Sequence, residues 1–280
     1  LIFVAVMTLW PLGHTLWLSL HRYNLSRPWV PRHWVSWETF SGYWSDPLLL
    51  KSLGVMLLFA VTTVSLQVGL GLVAALLLAR PLARPVAGAA GFRLLLLLPM
   101  MVAPAVAGVI WRLMLNDGYG AVNWILTHIG LSPQMWLSPR LAFFSVVLAE
   151  TWQWLPFSIL LFGVGLAAIP KAYYEAAAVD GATPWLTFRR ITLPNLKWVL
   201  GLVVIFKFSD AVKAFDTLFV MTGGGPGIAT QTLALYLHKT GFVHFDMGHA
   251  AMLSLLLLAV TLLLIWPLLR RTAPGGQGER

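Results

Sequence analysis

Charged and amide side chains inside long apolar runs are the first places where this chain can do chemistry. Lys207, Asp210, Lys213 and Asp216 recur every three residues through one such run, and Glu150 and Gln153 stand in another. A step of three keeps side chains on one slowly rotating stripe of a helix. Opposite charges at that step neutralise each other, which makes burial tolerable. Polar groups inside a membrane span are costly and usually functional. Counted at ~1.5 Å per residue from Leu141 and Met221, Gln153 and Asp210 reach similar depths near mid-span, and Glu150 falls level with Lys213. The two runs therefore either line a common polar passage or seal a helix interface with an ion ladder. Trp152 and Trp154 flank Gln153 and offer either packing surface or flat faces suited to a sugar ring.

Catalytic chemistry finds little support. Glu150 with Lys213 is the only acid–base pair in these runs, and neither a nucleophile nor a ligand set accompanies it. The histidines (His14, His21, His33, His128, His238, His244, His249) recur at no ligand spacing. The sequence has no H-E-x-x-H and no G-x-x-x-x-G-K-[ST] phosphate loop. Gly223-Gly224-Gly225-Pro226 lacks the lysine such a loop needs and reads as a tight turn. Cysteine is absent, which removes disulfide and thiol chemistry from consideration.

The polar stretch Ile169–Pro194 has helix punctuation instead. Pro170 suits a first helical turn, and Tyr173 to Ala178 carry good helix formers. Gly181 stands where a helix ends in a left-handed residue. Thr183 followed by Pro184 is an N-cap with a first-turn proline, so a second helix starts at once. Pro194 is expected to close the unit. A helix, a glycine break and a helix between two apolar runs make a compact knob.

These residues carry a resemblance. Glu175-Ala176-Ala177, then Gly181, then Ile191, Leu193 and Pro194 fit the spacing EAA-xxx-G-x9-I-x-LP. The pattern resembles the EAA loop of ABC-importer permeases, the binding-protein-dependent transport inner-membrane components. WLPF at Trp154–Phe157, AFD at Ala214–Asp216 and TGGGP at Thr222–Pro226 resemble the sugar branch, of maltose and glycerol-phosphate type. The resemblance implies a coupling helix that docks in a cleft of a separate ATPase, with Glu175, Ala176, Ala177, Asp180 and Gly181 at the contact. It also implies a second permease subunit (a heterodimer), two cytoplasmic ATPase subunits and an external solute-binding protein. Solute would move inward by alternating access, with no ATPase site and no resident cofactor in this chain. Gly248-His249-Ala250 departs from the Gly-Tyr-Ala common at the start of the last span. A secondary transporter is the competing class; it usually shows two related halves, and no convincing repeat is present.

Composition sets the solvent. The 280 residues are 59% hydrophobic and 10% charged, against about 25% charged in soluble domains. The expected fold is an all-α membrane protein of about six transmembrane helices. The spans fall near Leu1–Leu20, Leu49–Ala79, Leu94–Leu115, Leu141–Leu166, Trp198–Val220 and Ala250–Leu269. Pro99 and Pro104 should kink the third. One transmembrane domain covers residues 1–271, and residues 272–280 form a disordered tail. The chain opens at Leu1 inside an apolar run, and a preceding cytoplasmic segment is expected. His21–Pro47 reads as an ordered external loop holding a short helix at WETF, with aromatic residues at the lipid interface. The net charge of +9 lies in short loops between apolar runs, which suits a membrane rather than nucleic acid. Arg80, Arg84, Arg93, Lys171, Arg189, Arg190, Lys197, Arg270 and Arg271 outnumber Arg22, Arg27, Arg32, Arg140 and Lys239. The richer set is expected in the cytoplasm, with the knob and both termini, in a bacterial or archaeal plasma membrane.

Overall fold

Apolar runs with no alternation form helices, because a helix satisfies its own backbone groups where lipid offers no partners. The computed structural model describes residues 2–35, 37–82 and 89–272, and among these the regular secondary structure is almost wholly helical. Helix α1 (Ile2–Ser19) leads into a small hairpin, β1 (His21–Arg22) with β2 (His33–Trp34), pairing His21 with Trp34 and Arg22 with His33. Helix α2 (Trp37–Trp44) is the short helix expected at WETF, and α3 (Pro47–Leu82) follows. Next come α4 (Ala89–Met101), α5 (Pro104–Met114), α6 (Ala121–His128) and α7 (Ala142–Ala167). The knob holds α8 (Lys171–Val179) and α9 (Pro184–Thr187), and a π-helical turn (Phe188–Thr192) joins α9 to α10 (Leu193–Val212). The chain ends with α11 (Asp216–Thr222), α12 (Leu233–His238), a second π turn (Lys239–Val243) and α13 (Met247–Thr272).

Among the described residues, four helices are long and apolar enough to cross a membrane: Pro47–Leu78, Ala142–Ala167, Pro184–Val212 and Met247–Pro267. A bent pair, Leu95–Met101 with Pro104–Met114, is a fifth candidate. The first expected span corresponds to the 18 residues of α1. The expected turn through Arg84 and Pro85 and the tail beyond Thr272 lie outside the described residues; Thr272 itself ends α13.

Three expectations change. The third span is not a kinked rod: α4 and α5 meet at 107°. Pro104 is the first residue of a new helix, and Ala103 before it is extended (φ −60°, ψ 138°), as a residue preceding proline prefers. The second knob helix does not close at Pro194. Thr192 and Leu193 keep helical dihedrals, so Pro184–Val212 runs as one helix through the π turn. Pro194 lacks an N–H and its ring crowds the carbonyl four residues back; a widened turn absorbs that mismatch. Conversely, the fifth span stops at Val212 instead of Val220, and α11 restarts at Asp216.

Three apolar clusters hold these elements. Leu49, Met56, Ala60 and Val64 of α3 meet Ala211, Val212, Leu233, Tyr236, Met252 and Leu253. Phe59 joins Val146, Val147, Leu218, Met221 and Leu235. Ala75, Phe162 and Val203 close the knob end. Helices α3 and α7 approach closely because Gly71 has no side chain: a Cβ there would lie 2.6 Å from Ser158 Cβ. Small residues at helix crossings serve this purpose in membranes.

Candidate functional site

Two features of the fold carry polar chemistry: the knob and the charges near the helix breaks. Helix α8 ends as the sequence predicts. Gly181 is left-handed (φ +67°), its N–H donates to the Ala178 carbonyl at 3.2 Å, and Ala182 N–H donates to Ala177 at 2.9 Å. That pair of bonds satisfies the last carbonyls of the helix. Thr183 then caps α9, its side chain accepting from Leu186 N–H at 3.4 Å. Ala177 is buried, and Tyr174 on the same face lies 3.2 Å, oxygen to oxygen, from Thr192 of the π turn. Glu175, Ala176 and Asp180 are exposed, as are Val179 (88%) and Trp185 (68%). Ile191 and Leu193 are half-buried where the π turn passes into α10, and Pro194 is exposed.

The knob is therefore a rigid unit with one face seated on the chain and the other open. Its second helix is the first part of a 29-residue helix, so displacement of the open face moves that helix directly. Sequence reasoning missed Tyr174 and Thr192; a tyrosine next to Glu175 on a helix of alanines was the available signal.

The intramembrane charges do not form one stripe. Lys207 and Asp210 lie on α10, their Nζ and Oδ2 atoms 3.5 Å apart. Lys213 caps the C-terminus of α10 and Asp216 opens α11, placements that suit the dipoles of the two helix ends. Glu150 and Lys207 are buried. Glu150 lies within electrostatic reach of Lys207, Asp210 and Asp216; Lys213, expected beside it, is not among those charges. The Lys207 ammonium sits 4.2 Å from the Trp154 ring centroid and 5.5 Å from that of Phe157. Of the two uses open to these tryptophans, the Trp154 face packs a cation, and Trp152 packs edge-on against Trp111. Asp210, Lys213 and Asp216 remain exposed.

Gln153 is fully buried. Its Nε2 donates to the Val102 carbonyl at 2.8 Å, an oxygen freed where α4 and α5 separate. Thr217 of α11 donates to the Pro104 carbonyl at 3.4 Å, and Arg112 of α5 donates to Val220 at 3.2 Å. The bent pair α4–α5 is thereby stitched to α11 and to α7. Among the described residues no group of three or more His, Asp or Glu side chains is placed to hold a metal ion.

A helical membrane domain with a sharply bent helix pair and a rigid two-helix knob suits a transport subunit. The chain belongs to the family of binding-protein-dependent transport system inner membrane components, whose family model matches residues 67–271. It is 38% identical over 250 residues to the trehalose/maltose transport system permease protein MalF of Thermococcus litoralis, covering 88% of this chain and 80% of the relative. It is 34% identical over 268 residues to the sn-glycerol-3-phosphate transport system permease protein UgpA of Agrobacterium fabrum, covering 94% and 88%. The fold is similar to a chain of a bacterial alginate ABC transporter solved with a pentasaccharide-bound periplasmic protein. That match has a TM-score of 0.79 and 16% identity, and covers 98% of this chain and 93% of that one.

Proposed function

We propose that this permease subunit works in an ABC importer that moves a carbohydrate or a related polar solute inward by alternating access. The observation that carries the reading is the knob: capped at both helix junctions, fused to a span, and open on the face bearing Glu175, Ala176, Val179 and Asp180. Such a face suits the cleft of a separate ATPase, with Val179 and Trp185 supplying apolar contact and Glu175 a charge for a basic partner. Gly181 fixes the angle between α8 and α9, and Ile191, Leu193 and Pro194 carry the displacement into α10. The names of the relatives, which span disaccharide and glycerol-phosphate transport systems, support a hydroxyl-rich solute.

The working assembly in this reading pairs the chain with a second permease, two cytoplasmic ATPases and an external binding protein. The knob and both termini face the cytoplasm, as the arginine- and lysine-rich loops favour, and α1 supplies the sixth crossing. ATP draws the ATPases together, the knobs move inward, and the passage opens outward. The buried Glu150 and Lys207 seal α7 to α10, whereas the exposed Asp210, Lys213 and Asp216 face the passage. Gln153 pins the break in the third span and Trp154 packs behind Lys207.

The test is Glu175→Lys. The variant should insert normally, fail to capture the ATPase in a pulldown, and lose transport. Undiminished capture would remove the knob from the mechanism. Uptake by the permease pair with no ATPase present would favour the secondary-transporter class instead.

A further inference from the structure

Three arginines stand in the loop that the proposed topology puts outside, where the loop-charge rule disfavours them. Arg22, Arg27 and Arg32 fall in the stretch His21–Val35, which contains no Asp or Glu. Among the described residues neither Arg27 nor Arg32 makes an ion pair.

Their surroundings are built rather than loose. His21 is buried, its ring centroid 4.2 Å from that of Trp17 and 4.6 Å from that of Trp34. Its Nδ1 donates to the Trp17 carbonyl at 2.7 Å. The Arg32 guanidinium lies 4.4 Å from the centroid of Tyr23 and 5.4 Å from that of Trp17, which holds it against the end of α1. Trp29 and Trp34 are 76% and 68% exposed. The hairpin is tied to the start of α13 by Leu25 N–H on the Phe245 carbonyl (2.8 Å) and Met247 N–H on the Tyr23 carbonyl (2.9 Å).

Beneath this platform runs a groove between α1 and α13, lined by Met7, Pro11, Leu12, Thr15, Leu255 and Leu258. From Ser19, Thr15 to Met7 lie ~6–18 Å down the helix at ~1.5 Å per residue. That is the depth of one leaflet's acyl chains, about half of a ~30 Å hydrocarbon core. Helix α1 packs on α13 and β1 and leaves most of its apolar side chains uncovered. The charges assigned to the passage, Asp210, Lys213 and Asp216, lie instead at the end of α10 and the start of α11.

We propose that the hairpin and the α1–α13 groove hold an outer-leaflet phospholipid with an anionic headgroup. Arg27 and Arg32 take the phosphates, Trp29 and Trp34 sit at the headgroup boundary where indoles concentrate, and an acyl chain fills the groove. A soluble partner docking on the hairpin accounts for the arginines but not for an apolar groove continuing to membrane depth. The leaflet assignment rests on the topology given under the proposed function; the lipid class does not.

The test uses the assembled transporter in nanodiscs of equal phosphatidylglycerol and phosphatidylcholine, with co-retained lipid counted by native mass spectrometry. The unaltered complex should retain phosphatidylglycerol preferentially. Arg27→Gln with Arg32→Gln should lower that preference on the order of thirtyfold, since each surface arginine contributes about a kilocalorie toward anionic lipid. Arg27→Lys with Arg32→Lys should keep it, which separates charge from misfolding. Leu255→Trp should reduce retention of both lipids. An unchanged preference in the glutamine variant overturns the proposal, and so does loss of binding-protein capture with lipid retention intact. The chain has no native cysteine, so Ser26→Cys labelled from either side reads the topology separately. Labelling only from the ATPase side would overturn the leaflet assignment while the lipid count stands.

Discussion

Tyr174 of α8 and Thr192 of the π turn place their side-chain oxygens 3.2 Å apart, joining the first knob helix to the root of the long helix. The Gly181 turn and the buried Ala177 lie at the same junction. A hydrogen bond of this kind contributes about 0.5–1.5 kcal/mol net. Tyr174→Phe should leave ATPase capture intact, because Glu175 and Val179 are untouched, but lower solute-stimulated ATP hydrolysis about two- to tenfold. Equal stimulation in both proteins would show that the bond transmits nothing.

The buried and exposed charges of the fourth and fifth spans should separate by their effects. Lys207→Met leaves Glu150 buried beside Asp210 and Asp216 with no compensating cation and should lower the stability of the purified complex. Lys207→Met with Glu150→Gln should recover most of that stability in thermal unfolding of the purified complex. Asp210→Asn, at a half-exposed carboxylate that pairs with the buried Lys207, should lower stability less than Lys207→Met does yet alter solute-stimulated hydrolysis. If Asp210→Asn is silent in transport and Lys207→Met is mild, the assignment of seal and passage is reversed.

What the sequence made legible was what local chemistry decides. Gly181, Thr183 and Pro184 punctuate the knob because a left-handed residue, a hydroxyl cap and a first-turn proline each act over a few bonds. The break after Val212 was hidden: Lys213, Ala214 and Phe215 include no proline or glycine, and the apolar run continues through them. The charges at step three then looked like one stripe, when two belong to one helix and two flank its end. The 107° turn at Val102–Ala103 was half visible. Pro104 announced a disturbance, but its size depends on Gln153, 51 residues away, donating to the freed Val102 carbonyl, a pairing no local pattern encodes. The run-on of α9 into α10 depends on a π turn, which widens the helix around Pro194 with no composition of its own.

Gln153 should behave as a hinge pin. Gln153→Leu keeps the volume but strips the donor from the Val102 carbonyl, and leaving a buried acceptor unpaired costs about 1–3 kcal/mol. The side chain's own Oε1 has no partner among the described groups, so the loss should fall at the lower end of that range. The melting temperature should drop, and a spin-label pair on α4 and α5 should report a broader distance distribution. A stability unchanged within error, with an unchanged distribution, would mean that Ala103–Pro104 alone sets the bend.

At the opposite end of the molecule, Tyr236 of α12 donates its hydroxyl to Asp46 Oδ2, while Asp46 Oδ1 caps α3 by accepting from Leu48 N–H at 2.9 Å. One carboxylate thus ties the loop helix to the start of the second span. Burial raises the Tyr236 phenol above its ordinary range, and the bond to Asp46 pushes the same way. The folded protein then holds this proton more tightly than the unfolded chain does. The stability from the bond is fully present below pH 10, the unfolded value, and is lost as pH rises from there through the folded value. Tyr236→Phe should cost about 1.5–3 kcal/mol at neutral pH, the range for a hydrogen bond to a charged group. The stability difference between the parent and Tyr236→Phe should stay level from pH 6 to about 9.5 and shrink above it. A difference that grows with alkalinity, or that is absent at pH 7, would mean that the hydroxyl does not hold α12 to α3.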